Sequence, residues 1–193
     1  MTAPLIGMIG RRRSGKDSFA TTLVSELGYD RVAFADPLRE AALALDPLVG
    51  PASLPGDLTS SYRRLSEVVE TLGWERAKDC VPEVRAVLQR LGTDAIRSLD
   101  DTFWVRTAMA RVEASSAPVV VTDCRFPNEA EAIRLAGGYL VRVVRPGATS
   151  ASDVDLHPSE TALDDYPEDF YVDNSGTLAD LASDALLLID QLL

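Results

Sequence analysis

Gly10-Arg11-Arg12-Arg13-Ser14-Gly15-Lys16-Asp17 constrains this chain more than any other stretch. The apolar run Leu5-Ile6-Gly7-Met8-Ile9 precedes it, and a helix-compatible stretch from Ser18 to Leu27 follows. Strand, glycine-bracketed loop, Gly-Lys, then helix is the layout of a phosphate-binding loop. Successive backbone N–H groups point into a concave turn, and the helix N-terminus adds its positive dipole end. Gly10 and Gly15 permit backbone conformations and close approaches that a side chain would block. Arg13 and Ser14 lie within the turn, and Lys16 can reach outer phosphates as a compact charge. After such a lysine a Ser or Thr usually binds Mg²⁺ through its hydroxyl. Here Asp17 takes that place, with Ser18 one position later. A carboxylate can hold the ion through water or leave it to another residue.

Lysine usage supports this reading. Of 19 basic residues only Lys16 and Lys78 are lysines, and one of them falls in the loop where a small ammonium is wanted. Lys78 reads as a solvated surface residue. The 193 residues suit a single domain over 1–193, with a helical insertion at about 46–115. The net charge of −11 is uneven: residues 146–193 hold 11 Asp+Glu and no Lys or Arg. An acidic C-terminal segment disfavours broad nucleic-acid contact, and cations that grip phosphates must come from earlier in the chain. No apolar run approaches the ~20 residues of a membrane span, and no leader peptide is evident. Cys80 and Cys124 lack metal-ligand spacing and read as reduced thiols, so a cytoplasmic protein is expected.

Alternating strand and helix patterns argue an α/β fold with a parallel sheet. Strands are expected at 5–9, 31–35, 118–122, 139–144 and 170–172. Helices are expected at 16–27, 37–45, 61–72, 82–91, 93–99, 102–115, 128–136 and 177–193. Asp46 to Ser60, rich in Pro and Gly, reads as a mobile loop. The helical block after it, between the second and third strands, is large enough to receive a second substrate and close over it, or to form a plain packed layer.

Three further clusters and a few single residues could carry chemistry. Asp123 and Arg125 follow the buried strand Val119-Val120-Val121, where ligands of open α/β sheets bind. Asp123 could organise a metal and Arg125 stabilise a transferring phosphoryl group; equally, Asp123 could cap the next helix and Arg125 pair with Glu129. Asp36 and Arg39 follow the second strand, and Arg39 could grip an acceptor phosphate; equally, Asp36 could be a plain helix cap and Arg39 a surface residue. Gln89, Asp94 and Arg97 could read a base and its phosphate, around a Gly92 that could also merely break two helices. Arg145, at a strand end, could reach phosphates. His157, the only histidine, suits positioning better than proton transfer, which phosphoryl transfer hardly needs. Trp104 reads as a core or flap residue rather than a stacking platform, and Asn174 begins either a turn against a base or an ordinary loop.

Taken together these stretches resemble the bacteriophage deoxynucleoside monophosphate kinases, a branch of the P-loop nucleoside monophosphate kinase group. The resemblance rests on Ser14-Gly15-Lys16-Asp17, Phe34-Ala35-Asp36-Pro37-Leu38-Arg39, Gly92-Thr93-Asp94 with Arg97, Asp123-x-Arg125-Phe126-Pro127-Asn128-Glu129, His157-x-Ser159-Glu160 and Asn174-x-Gly176-Thr177. It implies a P-loop kinase fold: a five-stranded parallel sheet flanked by helices, with a helical acceptor-binding insertion between strands 2 and 3. It also implies Mg²⁺-dependent transfer of the ATP γ-phosphoryl group to a deoxynucleoside 5′-monophosphate. On that basis Gly10, Arg13, Ser14, Gly15, Lys16, Asp17, Ser18 and Asn174 face ATP, with Asn174 near adenine. Asp17 and Asp123 organise Mg²⁺, and Lys16, Arg125, Asp123 and Asp17 are the catalytic set. Asp36, Arg39, Gln89, Asp94, Arg97, Arg125, Arg145 and Glu160 face the acceptor. ATP and the monophosphate are the expected partners, without nucleic acid or membrane, and a homodimer is compatible with the family. Two rivals stay open: a P-loop kinase for phosphomevalonate or dephospho-coenzyme A, and a nucleotide switch without an acceptor.

Overall fold

The computed structural model describes residues 4–56, 58–147 and 161–193. They divide into two compact units: the chain up to Phe34 together with the chain from Val105, and Ala35–Trp104.

The first unit is built on five parallel strands: β1 (Ile6–Ile9), β2 (Asp30–Val32), β5 (Val119–Val121), β6 (Tyr139–Val144) and β7 (Phe170–Asp173), in the order β2-β5-β1-β6-β7. All four residues of β1 are buried, as a central strand covered on both faces requires. Side-chain alternation divides the strands between two cores. Ile6, Met8, Val120, Val141 and Val143 pack with Phe19 and Leu23 of α1 (Lys16–Leu27) and with Leu181, Leu188 and Ile189 of the last helix, α7 (Leu178–Leu192). Ile9, Val119, Val121 and Leu140 pack on the other face with Ala108 of α5 (Phe103–Ala114) and with Ala130 and Ile133 of α6 (Pro127–Leu135). Each of the Val, Leu, Ile, Met and Phe side chains contributes about 1.5–3 kcal/mol on burial. Gly7 admits α6: a Cβ there would lie 2.5 Å from Ile133 Cδ1. Helix α1 covers the expected span and stops at Gly28, whose φ of 69° lets its N–H return to the Leu23 carbonyl.

β1 lies hydrogen-bonded between β5 and β6. Its following loop and that after β5 therefore open on one sheet edge, at the carboxyl ends of the strands.

In the second unit three expectations are corrected. The stretch read as a mobile loop over 46–60 contains β3 (Leu48–Ala52), which pairs antiparallel with β4 (Ser61–Arg64). The helix expected at 61–72 begins only at Leu65 and runs to Cys80 as α3. Gly50 and Pro51 mimic a loop because they lie where the register shifts between Val49 and Ala52, the kind of irregularity at which a sheet tolerates them. Contacts invisible in the local sequence fix the hairpin: Gly50 N–H donates to Glu83 Oε2 at 3.0 Å, and Ser66 N–H donates to Asp46 Oδ1 at 2.8 Å. Helix α2 (Asp36–Leu45) precedes the hairpin, with Pro37 in its first turn. Helix α4 (Pro82–Gln89) continues into a π-helical stretch, Arg90–Arg97, where an α-helix was expected at 93–99. Val49, Leu65, Val68, Ala77, Val81 and Val84 form the core of this unit.

Candidate functional site

The loop after β1 bends as its glycines allow. Gly10 has φ 133°, Gly15 φ 106°, and Arg13, at φ 62°, is left-handed without being glycine. Neither glycine can be replaced in place. A Cβ on Gly10 would lie 2.4 Å from the Val143 carbonyl oxygen, and one on Gly15 would lie 2.3 Å from Asn174 Nδ2. The loop thus sits directly on the carboxyl ends of β6 and β7. Asn174, 3% exposed, holds it there: Nδ2 donates to the Ser14 carbonyl at 2.8 Å, while its own N–H donates to Val144 O at 2.7 Å. The amide expected near adenine is directed at the underside of the phosphate loop.

Lys16 opens α1, and its ammonium curls over the same loop, donating to Gly10 O at 2.6 Å and Arg11 O at 2.7 Å. An ammonium held on a glycine-rich loop in this way can be drawn to a phosphate chain bound there. Asp17 and Ser18 follow, both exposed, in the first turn. Arg11 forms an ion pair with Asp164 at 2.7 Å.

Beyond β5, Asp123 Oδ1 accepts the Phe34 N–H at 2.7 Å, tying the ends of β5 and β2. Glu129 serves the start of α6: its Oε2 accepts from Arg125 N at 2.7 Å and Phe126 N at 3.1 Å. This satisfies two backbone donors before the first helical turn and fixes the peptide that carries the exposed Arg125. Burial, followed by the charges of Glu129 and Asp123, pushes the Cys124 thiol well up, so it is an inert packing residue. Arg145 is exposed just past β6. Arg142 is committed to structure: it donates to Glu168 Oε2 and the Leu163 carbonyl, both at 2.9 Å.

In the second unit Asp36 and Arg39 share the first turn of α2, with 3.5 Å between Asp36 Oδ1 and Arg39 Nη1. The Arg39 guanidinium lies over the Trp74 ring, 5.9 Å from its centroid, and its Nη2 is 3.5 Å from Glu75 Oε1. Lys78 Nζ meets the same Glu75 oxygen at 2.6 Å, and its side chain is only 18% exposed. It is not the solvated lysine the sequence suggested. Its scarcity among 19 basic residues was the signal. Gln89 closes α4, and Asp94 and Arg97 lie on the π-helical stretch. Trp104 anchors that stretch, its indole N–H donating to the Gly92 carbonyl at 3.0 Å. At Gly92 a Cβ would lie 2.7 Å from Leu38 Cδ2, so any larger residue there displaces the Leu38 side chain. His157, Ser159 and Glu160 lie outside the described residues.

As a cation site, Asp17 and Asp123 offer hard carboxylate oxygens. Among the described residues no three His, Cys, Asp or Glu side chains cluster as a protein-only cage. Such a donor set fits Mg²⁺, which keeps waters and takes its remaining ligands from substrate phosphates. No helix of the described residues is long and apolar enough to cross a membrane.

The chain is similar to known proteins over most of its length. A family model described as deoxynucleotide monophosphate kinase matches residues 59–185. A protein of Acanthamoeba polyphaga mimivirus that carries the same name is 34% identical over 202 residues, covering 96% of each chain. The deoxynucleotide monophosphate kinase of Escherichia phage RB69 is 33% identical over 105 residues, 52% of this chain and 42% of the phage protein. Among solved structures, the dephospho-CoA kinase of Campylobacter jejuni superposes with a TM-score of 0.51 at 17% identity, covering 97% of this chain and 96% of that one. That likeness speaks for the fold.

Proposed function

This chain belongs to the deoxynucleotide monophosphate kinase family, and from that membership we propose that it moves the γ-phosphoryl group of ATP to a deoxynucleoside 5′-monophosphate, using the residues assigned below. The observation that carries the assignment is the Gly10–Ser18 turn. Two glycines at positive φ seat it against Val143 and Asn174, and the Lys16 ammonium folds back onto it, donating to the carbonyls of Gly10 and Arg11.

In this reading the backbone N–H groups of residues 10–15 and the start of α1 bind the ATP phosphates, with Arg13 and Ser18 beside them. Lys16 leaves the carbonyls of Gly10 and Arg11 for the outer phosphates, exchanging neutral acceptors for charged ones. Asn174 contributes through the loop it holds. Asp17 and Asp123 would hold Mg²⁺, which when bound neutralises charge on the ATP phosphates. Arg125, held at its peptide by Glu129, stabilises charge on the group in transit. Within the second unit this reading assigns Arg39 and Arg97 to the acceptor phosphate, and Asp36, Gln89 and Asp94 to its nucleoside. Positioning and fixed charge supply most of the rate, since phosphoryl transfer asks for little proton chemistry from the protein.

Lys16→Ala tests the assignment. It should lower turnover by roughly two orders of magnitude or more, the scale of losing a charged group that stabilises the transferring phosphoryl. The circular dichroism spectrum should not change. Near-normal turnover in a folded Lys16→Ala chain would overturn the site.

A further inference from the structure

Lys78 belongs to no assigned site, and its surroundings are chemically specific. At Gly73 the backbone of α3 takes φ 70° and ψ 160°, breaking the helix and resetting its phase. The turn that follows carries Trp74, Glu75 and Lys78. Trp74 gives its ring face to Arg39, and Glu75 accepts from both Arg39 and Lys78.

The exposures of these groups divide sharply. The side chains of Arg39 and Lys78 are 22% and 18% exposed, whereas that of Glu75 is 69% exposed. Both cations are therefore fixed by the fold, the guanidinium by Trp74 on one side and Asp36 on another. Their shared anion hangs at the rim on a flexible stem. An exposed carboxylate contributes little stability to such a pair and exchanges easily with solvent. Two converging cations of which one is a planar fork suit a phosphate monoester better than a carboxylate. The monoester carries close to two negative charges and three acceptor oxygens where Glu75 carries one charge and two oxygens.

We infer that Arg39 and Lys78 together form the cradle for the acceptor's phosphate monoester, and that Glu75 is an internal stand-in which the phosphate displaces. The inference rests on the kinase reading for the identity of the acceptor and adds a residue, Lys78, and a competitor, Glu75. It makes two opposite predictions. Removing the Lys78 charge weakens the acceptor, and removing the Glu75 charge strengthens it, because the phosphate no longer has to evict an anion.

The test compares the wild-type chain with Lys78→Gln and Glu75→Gln by steady-state ADP release at saturating ATP and varied deoxynucleoside monophosphate. Each protein is also titrated calorimetrically with inorganic phosphate. Lys78→Gln should raise the acceptor KM roughly tenfold or more, as the loss of a charge-assisted hydrogen bond does, while the ATP KM stays within about twofold. Glu75→Gln should lower the acceptor KM several-fold. An unchanged acceptor KM in both variants, alongside normal monophosphate-dependent turnover, overturns the cradle and leaves the kinase reading standing. If Lys78→Gln does not fold, the sign of the Glu75→Gln effect decides by itself. Absence of turnover with every monophosphate would instead remove the kinase reading. The phosphate titration then decides the cradle: binding weakened in Lys78→Gln supports it, and equal binding or none refutes it.

Discussion

Replacing Asn174 with alanine should loosen the phosphate loop without touching any group that meets substrate directly. The Asn174 amide is 3% exposed and donates to the Ser14 carbonyl at 2.8 Å, so its loss strands a buried acceptor. An unsatisfied buried carbonyl costs about 1–3 kcal/mol, and the middle of that range lowers the thermal midpoint of a chain this size by roughly 4–8 °C. The functional effect is directional. With its prop removed the turn samples conformations in which its N–H groups no longer converge, so the ATP KM should rise several-fold while the acceptor KM stays unchanged. Thermal melts followed by circular dichroism give the first quantity, and initial rates with each substrate varied in turn give the second. A midpoint within about 1 °C of wild type together with an unchanged ATP KM would refute the idea that Asn174 holds the loop, because the stranded carbonyl must then have been satisfied some other way.

Two other perturbations read separate parts of the structure. Burial pushes the Tyr29 phenol from 10.0 up to about 12, so the unfolded chain ionises first as pH rises. The stability held below pH 10 should fall between pH 10 and 12. The Tyr29 hydroxyl finds no hydrogen-bond partner among the described residues, so Tyr29→Phe should abolish that fall at little cost near neutrality; an alkaline melting profile identical to wild type would contradict this. Asp123→Asn keeps an oxygen to accept the Phe34 N–H but removes the charge offered to a cation. The melting midpoint should therefore hold while the Mg²⁺ concentration for half-maximal activity rises several-fold, and an unchanged Mg²⁺ dependence would count against Asp123 as a ligand.

What the sequence made legible follows from how local each signal is. The loop from Gly10 to Asp17 and the helix after it could be read because a phosphate cradle needs glycines, lysine and a helix start in one short run, and α1 falls at 16–27 as expected. The five strands were legible because a buried parallel sheet needs runs such as Val119-Val120-Val121. The hairpin β3–β4 was not, since Gly50 and Pro51 signal a loop and only the partner strand and Glu83 make them a strand. Lys78 was misread for a related reason. Whether a lysine is solvated depends on which helix face packs where, and the Gly73 break shifts that phase. Asn174 shows the opposite case: the residue stood out in the sequence, but its direction, toward Ser14, is set by a contact between positions 160 residues apart.

On this reading, deoxynucleoside monophosphates are phosphorylated at the loop around Lys16. Its most direct test is ADP release from ATP and Mg²⁺ with each common deoxynucleoside and ribonucleoside monophosphate, wild type beside Lys16→Ala. One or more deoxynucleoside monophosphates should stimulate ADP release strongly, and Lys16→Ala should lose that stimulation. Tight ATP binding with no stimulation by any of them would contradict this reading.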